Sequence, residues 1–143
     1  MKTILLVEDN PDDVILTKRV FARSRIANHI VVAEDGAIAL DCLFGKGAFK
    51  GKRIVPELIL LDLNMPKVSG LEVLEKLQAD KELSLIPVVV MTTSVEDEDV
   101  LKSYKFGANS FIRKPVDFEQ FTTAVEQLGL YWLVLNQSTP SAD

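Results

Sequence analysis

The sequence predicts one doubly wound α/β domain built on a parallel sheet, and two observations lead to that prediction. Short continuous apolar runs, typical of strands buried on both faces, alternate with longer segments of helical periodicity. Acidic or polar side chains directly follow several of those runs. The 143 residues suit one domain with a sizeable core, and we find neither a repeat nor a linker in them.

Five predicted strands alternate with five predicted helices. The strands are β1 at about 3–7, β2 at about 30–33, β3 at about 58–61, β4 at about 87–91 and β5 at about 110–113. The helices are α1 at about 11–24, α2 at about 36–44, α3 at about 69–79, α4 at about 96–106 and α5 at about 117–135. Asn10-Pro11 marks the start of α1, because a polar cap precedes a proline at the first helical position. We assign 1–135 to the domain and expect 136–143 to be a disordered tail.

Composition excludes several functional classes. The net charge of -5 argues against a nucleic-acid-binding surface, which needs clustered positive charge. The longest apolar stretches, such as 128–135, are far shorter than the roughly 20 residues of a membrane span. The segment before Glu8 is too short for a signal peptide, and one cysteine provides no disulfide framework. We therefore expect a cytoplasmic protein without a membrane partner.

Reactive side chains follow the predicted strands at the point where each one ends. Glu8 and Asp9 follow β1, Asp62 follows β3, Thr92 follows β4 and Lys114 follows β5. In an open parallel sheet, ligands bind outside the carboxyl ends of the strands, where the strand order reverses. Three carboxylates, a hydroxyl and an ammonium at one edge make a site for a divalent cation and a phosphoryl group.

Asp62 is the first candidate in this set, because a carboxylate can act as a nucleophile and form an aspartyl phosphate. Glu8 and Asp9 supply the hard oxygen ligands that magnesium prefers. Taken alone, Asp62 is more often a turn cap, Asp9 or Asn10 caps α1, and a lone lysine is usually solvated. The five groups together favour the site over these structural interpretations.

Other conspicuous residues have ordinary structural interpretations. His29, at the start of β2, is structural or solvated, and Cys42 is a small core or boundary residue of α2. The α2–β3 loop is basic, which usually means solvated turn charge and less often a contact with a partner. Its charged residues are Lys46, Lys50, Lys52 and Arg53.

Ordered segments across residues 2 to about 128 match a known family. They are Leu6-Val7-Glu8-Asp9-Asn10, Leu60-Leu61-Asp62-Leu63-Asn64-Met65-Pro66, Gly70, Met91-Thr92-Thr93 and Lys114-Pro115. Each segment is weak alone, but the ordered set resembles the receiver domain of two-component response regulators. The resemblance implies a flavodoxin-like sheet with strand order 2-1-3-4-5. It also implies that Asp62 is the phosphoacceptor.

The resemblance implies roles for the remaining site residues. Magnesium would be held by Glu8, Asp9, Asp62 and the backbone carbonyl of Asn64. The phosphoryl oxygens would be contacted by Thr92, Thr93 and Lys114, and the Lys114-Pro115 bond would be cis. Phe111 lies at the position of the switch aromatic and would move together with Thr92. A phenylalanine has no hydroxyl, so that movement would depend on packing alone.

A narrower resemblance concerns the long α2–β3 loop, the segment 61–67 and the apolar extension 128–135. These features look like those of the single-domain regulators that are paired with bacterial phytochromes. We expect no effector domain and, as a partner, a sensor histidine kinase of the phytochrome class.

The extension of α5 also predicts a homodimer. One helical stripe faces the core and comprises Phe118, Phe121, Val125, Leu128, Trp132 and Leu135. A second apolar face carries Leu130, Leu133 and Val134. Exposed apolar patches usually mark interfaces, and symmetric dimers are the commonest outcome. The alternative is a C-terminal turn that folds back onto its own domain.

The leading functional hypothesis is a signalling protein switched by phosphorylation, without an independent substrate. A magnesium-dependent phosphatase usually has a second Asp two residues after the nucleophile, where this chain has Asn64, which cannot act as an acid. A flavin carrier needs a phosphate loop after β1, where the acidic segment 8–13 would repel a phosphate. An adaptor that ignores phosphorylation would not need the acidic set.

Overall fold

A computed structural model of the chain describes residues 2–23, 28–63, 65, 68–92, 110–114 and 116–130. Its strands form one parallel sheet of order β2-β1-β3-β4-β5. Their bounds are Lys2–Val7 for β1, Asn28–Ala33 for β2, Leu58–Asp62 for β3, Val88–Thr92 for β4 and Ser110–Arg113 for β5. The predicted fold class and strand order are confirmed.

The described helices flank this sheet. They are α1 at Pro11–Arg23, α2 at Gly36–Phe44, α3 at Gly70–Gln78 and α5 at Phe118–Gln127, with short 3-10 turns at Gly47–Phe49 and Leu83–Leu85. The predicted α4 lies outside the described residues. Within the described part of the chain, none of the helices has the length and apolar character that a membrane crossing requires.

Two apolar clusters cover the two faces of the sheet. Alternate strand residues such as Leu5 and Leu61 pack with α2 and α3, whereas Ile4 and Leu60 pack with α1 and α5. On the second face, the rings of Phe21 and Phe121 lie 4.8 Å apart and join α1 to α5. All five residues of β3 are buried, which confirms the interpretation of its continuous apolar run as a strand buried on both faces.

The strand register brings the carboxyl ends of the central strands level. Val7 of β1 is paired with Leu61 of β3, so Glu8 and Asp62 follow at equivalent positions on neighbouring strands. Asp62 is itself paired with Met91 of β4. The sequence placed Asp62 and Thr92 just after their strands, whereas the structure includes each as the last residue of its strand.

Polar side chains begin the helices, as expected for their exposed backbone N–H groups. The Asn10 Oδ1 accepts from the backbone N–H of Asp12 at 2.8 Å, which confirms the predicted start of α1. Ser69 and Glu72 form a reciprocal capping box at α3. Asp35, which is buried, accepts from the N–H of Ile38 at 2.8 Å and begins α2.

The last helix is shorter than predicted, and the interpretation of its second apolar face is wrong at Leu130. α5 ends at Gln127, because Gly129 takes a φ of 73° and the Leu130 N–H donates to the Val125 carbonyl at 2.9 Å. This reversal is a common way to end a helix. It turns the half-buried Leu130 onto the core beside Leu128. The predicted continuation to 135 therefore fails at Gly129, and residues 131–143 lie outside the described chain.

Several predicted core positions are exposed. Phe118 begins α5 and was placed on its core-facing stripe, but it is 46% exposed. Leu16 of α1 is 41% exposed, although the residue spacing predicts a mostly apolar stripe of Val14, Leu16, Thr17, Val20, Phe21 and Arg25 on that helix. In both helices the stripe of buried residues is narrower than the pattern of apolar residues in the sequence predicts. Cys42 is buried in α2, and burial raises the pKa of its thiol to about 11, which supports its interpretation as a core residue. His29 is an exposed residue of β2.

Candidate phosphoacceptor and metal site

The three predicted carboxylates meet at the carboxyl edge of the sheet. Glu8, Asp9 and Asp62 each offer an oxygen, and these oxygens lie within 4.8 Å of one another. Glu8 and Asp62 are buried, whereas Asp9 is exposed. The set therefore opens to solvent on the Asp9 side, from which a small cation can enter.

Lys114 reaches into this group from the end of β5. Its Nζ lies 2.6 Å from Glu8 Oε1, 3.1 Å from Asp62 Oδ2 and 3.1 Å from Asp13 Oδ2. Its side chain is 8% exposed, so it is not the solvated surface lysine that a lone lysine usually is. In this arrangement the ammonium provides the positive charge that keeps the carboxylates together.

Burial and charge shift the pKa values of the site in opposing ways. Burial raises the pKa of Glu8 to about 7, helped by the nearby Asp62 charge and opposed by Lys114. Burial alone would lower the pKa of Lys114, but the contact with Glu8 and the Asp62 charge outweigh it and raise that pKa. The ammonium therefore stays charged, whereas the raised pKa of Glu8 lets its carboxyl group keep a proton at higher pH than a solvated glutamate does.

The two Glu8 oxygens have different surroundings. Oε2 accepts from the backbone N–H of Asn10 at 3.1 Å. Oε1 is buried without a directed hydrogen bond, since its 2.6 Å approach to Lys114 Nζ is an ion contact of poor hydrogen-bond geometry. A buried carboxylate oxygen without a directed donor, beside two further carboxylates, fits a divalent cation. Magnesium in proteins takes oxygen ligands, usually one or two carboxylates together with waters and phosphate oxygens.

Asp13 belongs to this site, although our sequence reasoning did not include it. We considered the residues that follow strands, and Asp13 instead lies in the first turn of α1. The backbone N–H of Asp13 donates to Asn10 Oδ1, the cap of α1, at 3.3 Å. The signal that could have found it is an acidic residue facing the sheet edge from the helix that follows β1.

Two glycines hold the β3–α3 connection tightly beneath Asp62. A Cβ on Gly70 would lie 2.4 Å from the Asp62 carbonyl oxygen and 2.7 Å from Leu63 Cα. A Cβ on Gly36 would lie 2.2 Å from the Val68 carbonyl oxygen. Side chains at these positions would push the backbone that carries the candidate acceptor, so the glycines allow α2 and α3 to begin directly against it.

The structure leaves some predicted site residues without a description. Asn64, Thr93 and Pro115 lie outside the described residues, as do Leu133 and Val134 of the predicted dimer interface. The backbone of Thr92 ends β4 beside Asp62, but its side chain is not described. Phe111 lies in β5 with an exposed side chain, and the next residue, Ile112, is on the other face of the sheet and is buried.

Comparison with known proteins identifies the family. The sequence profile of the response regulator receiver domain matches residues 4–126. The chain therefore belongs to the response regulator receiver domain family of two-component signalling, as its motifs predicted. Phosphorylation on an aspartate is the property that this family implies.

Two relatives by sequence and one solved structure are similar to this protein over nearly its whole chain. The probable methanogenesis regulatory protein FilR2 of Methanothrix harundinacea is 43% identical over 94% of this chain and 86% of its own. The response regulator Rcp1 of Synechocystis is 37% identical over 92% and 89%. The structure of the bacteriophytochrome response regulator AtBRR superposes with a TM-score of 0.85, at 45% identity and coverage of 96% and 99%.

A structure of Rcp1 in its Mn²⁺-bound form has a TM-score of 0.78 and 35% identity, covering 100% of this chain and 99% of that one. A receiver of this family thus binds a divalent cation, in agreement with the carboxylate group found here.

Proposed function

We propose that Asp62 accepts a phosphoryl group from the phosphohistidine of a sensor histidine kinase. An Asp62 oxygen attacks phosphorus, the phosphorus–nitrogen bond breaks, and the histidine leaves with the electron pair of that bond. The observation that carries the proposal is the place of Asp62, buried at the sheet edge 3.1 Å from Lys114 Nζ and within the carboxylate group.

Magnesium is the proposed cofactor, held by Glu8, Asp9 and Asp62, with the backbone carbonyl of Asn64 as a further ligand. When bound, the ion neutralises carboxylate charge that would otherwise repel an anionic phosphodonor. Lys114 provides a second positive charge at the acceptor, and we propose that it contacts a phosphoryl oxygen as a point charge. Thr92 and Thr93 are the proposed hydroxyl contacts.

The proposed output is a change in protein–protein contacts on the face of Thr92 and Phe111. Phosphorylation adds a dianion beside Lys114, and that charge can bias an element that has two arrangements. The exposed Phe111 ring is the proposed mobile element, with burial of the ring favoured in the phosphorylated state. Catalysis in this scheme is confined to acceptance and self-hydrolysis of the phosphoryl group.

We propose a kinase of the phytochrome class as the phosphodonor and the cytoplasm as the place of transfer. The support is the similarity to Rcp1 and AtBRR, the latter named as a bacteriophytochrome response regulator. FilR2 is similarly close in sequence and is named for a different process. Phosphotransfer from a purified bacteriophytochrome kinase should therefore outpace transfer from an unrelated histidine kinase, and equal rates would remove the phytochrome assignment.

The acceptor is tested by incubating the protein with magnesium and a small acyl phosphate and measuring intact mass. We expect one added phosphoryl group, labile in alkali as an acyl phosphate is. The gain should vanish for Asp62→Asn and in excess chelator, and should persist for Asp80→Asn, which lies beyond the C-terminal end of α3. Labelling of Asp62→Asn at the parental rate would refute the assignment, and multiple turnover of a phosphomonoester would identify an enzyme instead.

A homodimer through the segment after Leu130 is a further proposal. Leu130 packs on the core of its own domain and is no longer part of the proposed interface. Leu133 and Val134 remain as the apolar pair that a two-fold axis would bury. Sedimentation should show a dimer that Leu133→Asp with Val134→Asp converts to a monomer able to accept phosphate. A parent that stays monomeric at high micromolar concentration, with or without a phosphoryl mimic, would exclude this dimer.

A further inference from the structure

We propose that Asp13 is a positioning residue that holds Lys114 in the resting arrangement and competes with the phosphoryl group for its ammonium. The inference rests on the proposed function of Asp62 as the acceptor. It assigns a role to the first turn of α1, which lies outside the group of carboxylates suited to the cation.

The contacts of Lys114 are the first argument. An ammonium has three N–H donors, and the Nζ of Lys114 has three carboxylate neighbours at 2.6, 3.1 and 3.1 Å. Two of the donors form hydrogen bonds to Asp13 and Asp62, and Glu8 Oε1 lies against the ammonium as an ion contact, so carboxylates surround it on three sides. A phosphoryl group on Asp62 must therefore share the ammonium with these carboxylates, and Asp13 is a direct competitor for it.

Asp13 is the carboxylate whose sole described contact at the site is with Lys114. Glu8 and Asp62 are also suited to the cation, so their oxygens have a second use. The cap at Asn10 fixes the backbone from which the Asp13 side chain extends. Asp13 therefore holds the ammonium at 3.1 Å, the same distance at which Asp62 holds it, and does so whether or not Glu8 and Asp62 bind a cation.

The expected effect is modest, because the Asp13 side chain is 25% exposed and water screens the pair. Asp13→Asn should tighten the binding of a phosphoryl mimic by about fivefold, in line with partly exposed ion pairs. If Asp13 instead aimed Lys114 at the phosphoryl group, the same substitution would weaken binding.

The test titrates magnesium-loaded protein with beryllium trifluoride, a phosphoryl mimic, and follows binding by amide chemical shifts. Asp12→Asn is the matched control, since it removes the same charge from the residue directly before Asp13. Asp12 is exposed and has no described contact with Lys114. Each substitution is also made in a Lys114→Ala background. The proposal predicts that the effect of Asp13→Asn exceeds that of Asp12→Asn at least twofold and disappears without Lys114.

Equal effects of the two substitutions, or an unchanged Asp13→Asn effect in the Lys114→Ala background, would overturn the proposal. A parent that neither binds the mimic nor accepts phosphate would instead overturn the role of Asp62. In that event a double-mutant cycle of urea unfolding on the metal-free variants still measures the coupling energy between Asp13 and Lys114. Absence of coupling between Asp13 and Lys114 there shows that Asp13 does not hold the lysine, and measurable coupling shows that it does.

Discussion

Two ion-pair sites lie at opposite ends of the sheet and have the same shortest distance. At the amino ends of β3 and β4, Arg53 Nη2 lies 2.6 Å from Glu82 Oε1, and the two side chains are 39% and 64% exposed. At the carboxyl ends, Lys114 Nζ lies 2.6 Å from Glu8 Oε1, with exposures of 8% and 1%. Distance alone would rank the two pairs as equal.

The difference between them lies in water and in charge balance. Arg53 and Glu82 are a matched pair in solvent, where each charge is hydrated and the net energy of pairing is small. Lys114 faces the carboxylates of Glu8, Asp13 and Asp62, so the buried group keeps an excess of negative charge. That excess is unfavourable for folding and favourable for binding a cation. The carboxyl end of the sheet is therefore where we place the proposed function.

The largest expected effect comes from removing the buried cation. Lys114→Ala leaves Glu8 and Asp62 buried without a positive neighbour, and breaking a buried pair in this way costs about 3–5 kcal/mol. We expect that loss in urea unfolding of metal-free protein near neutral pH. Saturating magnesium should raise the unfolding free energy of Lys114→Ala by more than it raises that of the parent, because the ion then supplies the missing charge.

Lys50→Ala, in the exposed basic loop, is the control for loss of a lysine as such and should change stability by less than about 0.5 kcal/mol. Equal losses for the two alanine variants in chelator would show that Lys114 does not neutralise the carboxylates. A loss in Lys114→Ala that magnesium fails to reduce would show that the carboxylates do not bind the ion.

A second effect is the pH dependence that the raised pKa of Glu8 predicts. Because the folded state holds the Glu8 proton more tightly than the unfolded state, stability falls as pH rises between 4.5 and about 7. At about 1.4 kcal/mol per pH unit, the loss from this group is on the order of 3 kcal/mol. Magnesium affinity should rise over the same range, since the ion needs the ionised carboxylate.

Glu8→Gln isolates this contribution, because the other titrating groups are common to both proteins. We expect the difference in unfolding free energy between parent and variant, measured in chelator, to change with pH in that window and to level off above it. A difference that is flat from pH 4 to pH 8 would mean that Glu8 titrates alike in the folded and unfolded states.

Much of the carboxyl end of the sheet could be predicted, because strand ends carry a strong sequence signal. Apolar runs buried on both faces located β1 and β3, and Glu8 and Asp62 follow from their ends. The register then brings these side chains level, as parallel strands must. The capping asparagine before Pro11 located α1 for an equally local reason.

The rest depended on long-range geometry or on backbone conformation. Asp13 joins the site because α1 packs beside the end of β5, which its sequence neighbours do not encode. The end of α5 depends on the left-handed Gly129, whereas apolar letters continue past it and favoured a longer helix. The partnership of Arg53 with Glu82 spans 29 residues and was likewise absent from our interpretation of the basic loop.

The smallest expected effect is at the exposed pair, and it completes the contrast with Lys114. Glu82→Gln should cost about 0.5 kcal/mol or less, because solvent hydrates both partners. Arg53→Ala should cost more, since Arg53 Nε also donates to the Leu43 carbonyl in the last turn of α2 at 2.9 Å. Added salt should erase the Glu82→Gln cost and leave most of the Lys114→Ala cost, because salt screens exposed charges far more than buried ones. Urea unfolding at low and high ionic strength measures both, and a salt-resistant Glu82→Gln cost equal to that of Lys114→Ala would show that burial does not separate the two sites.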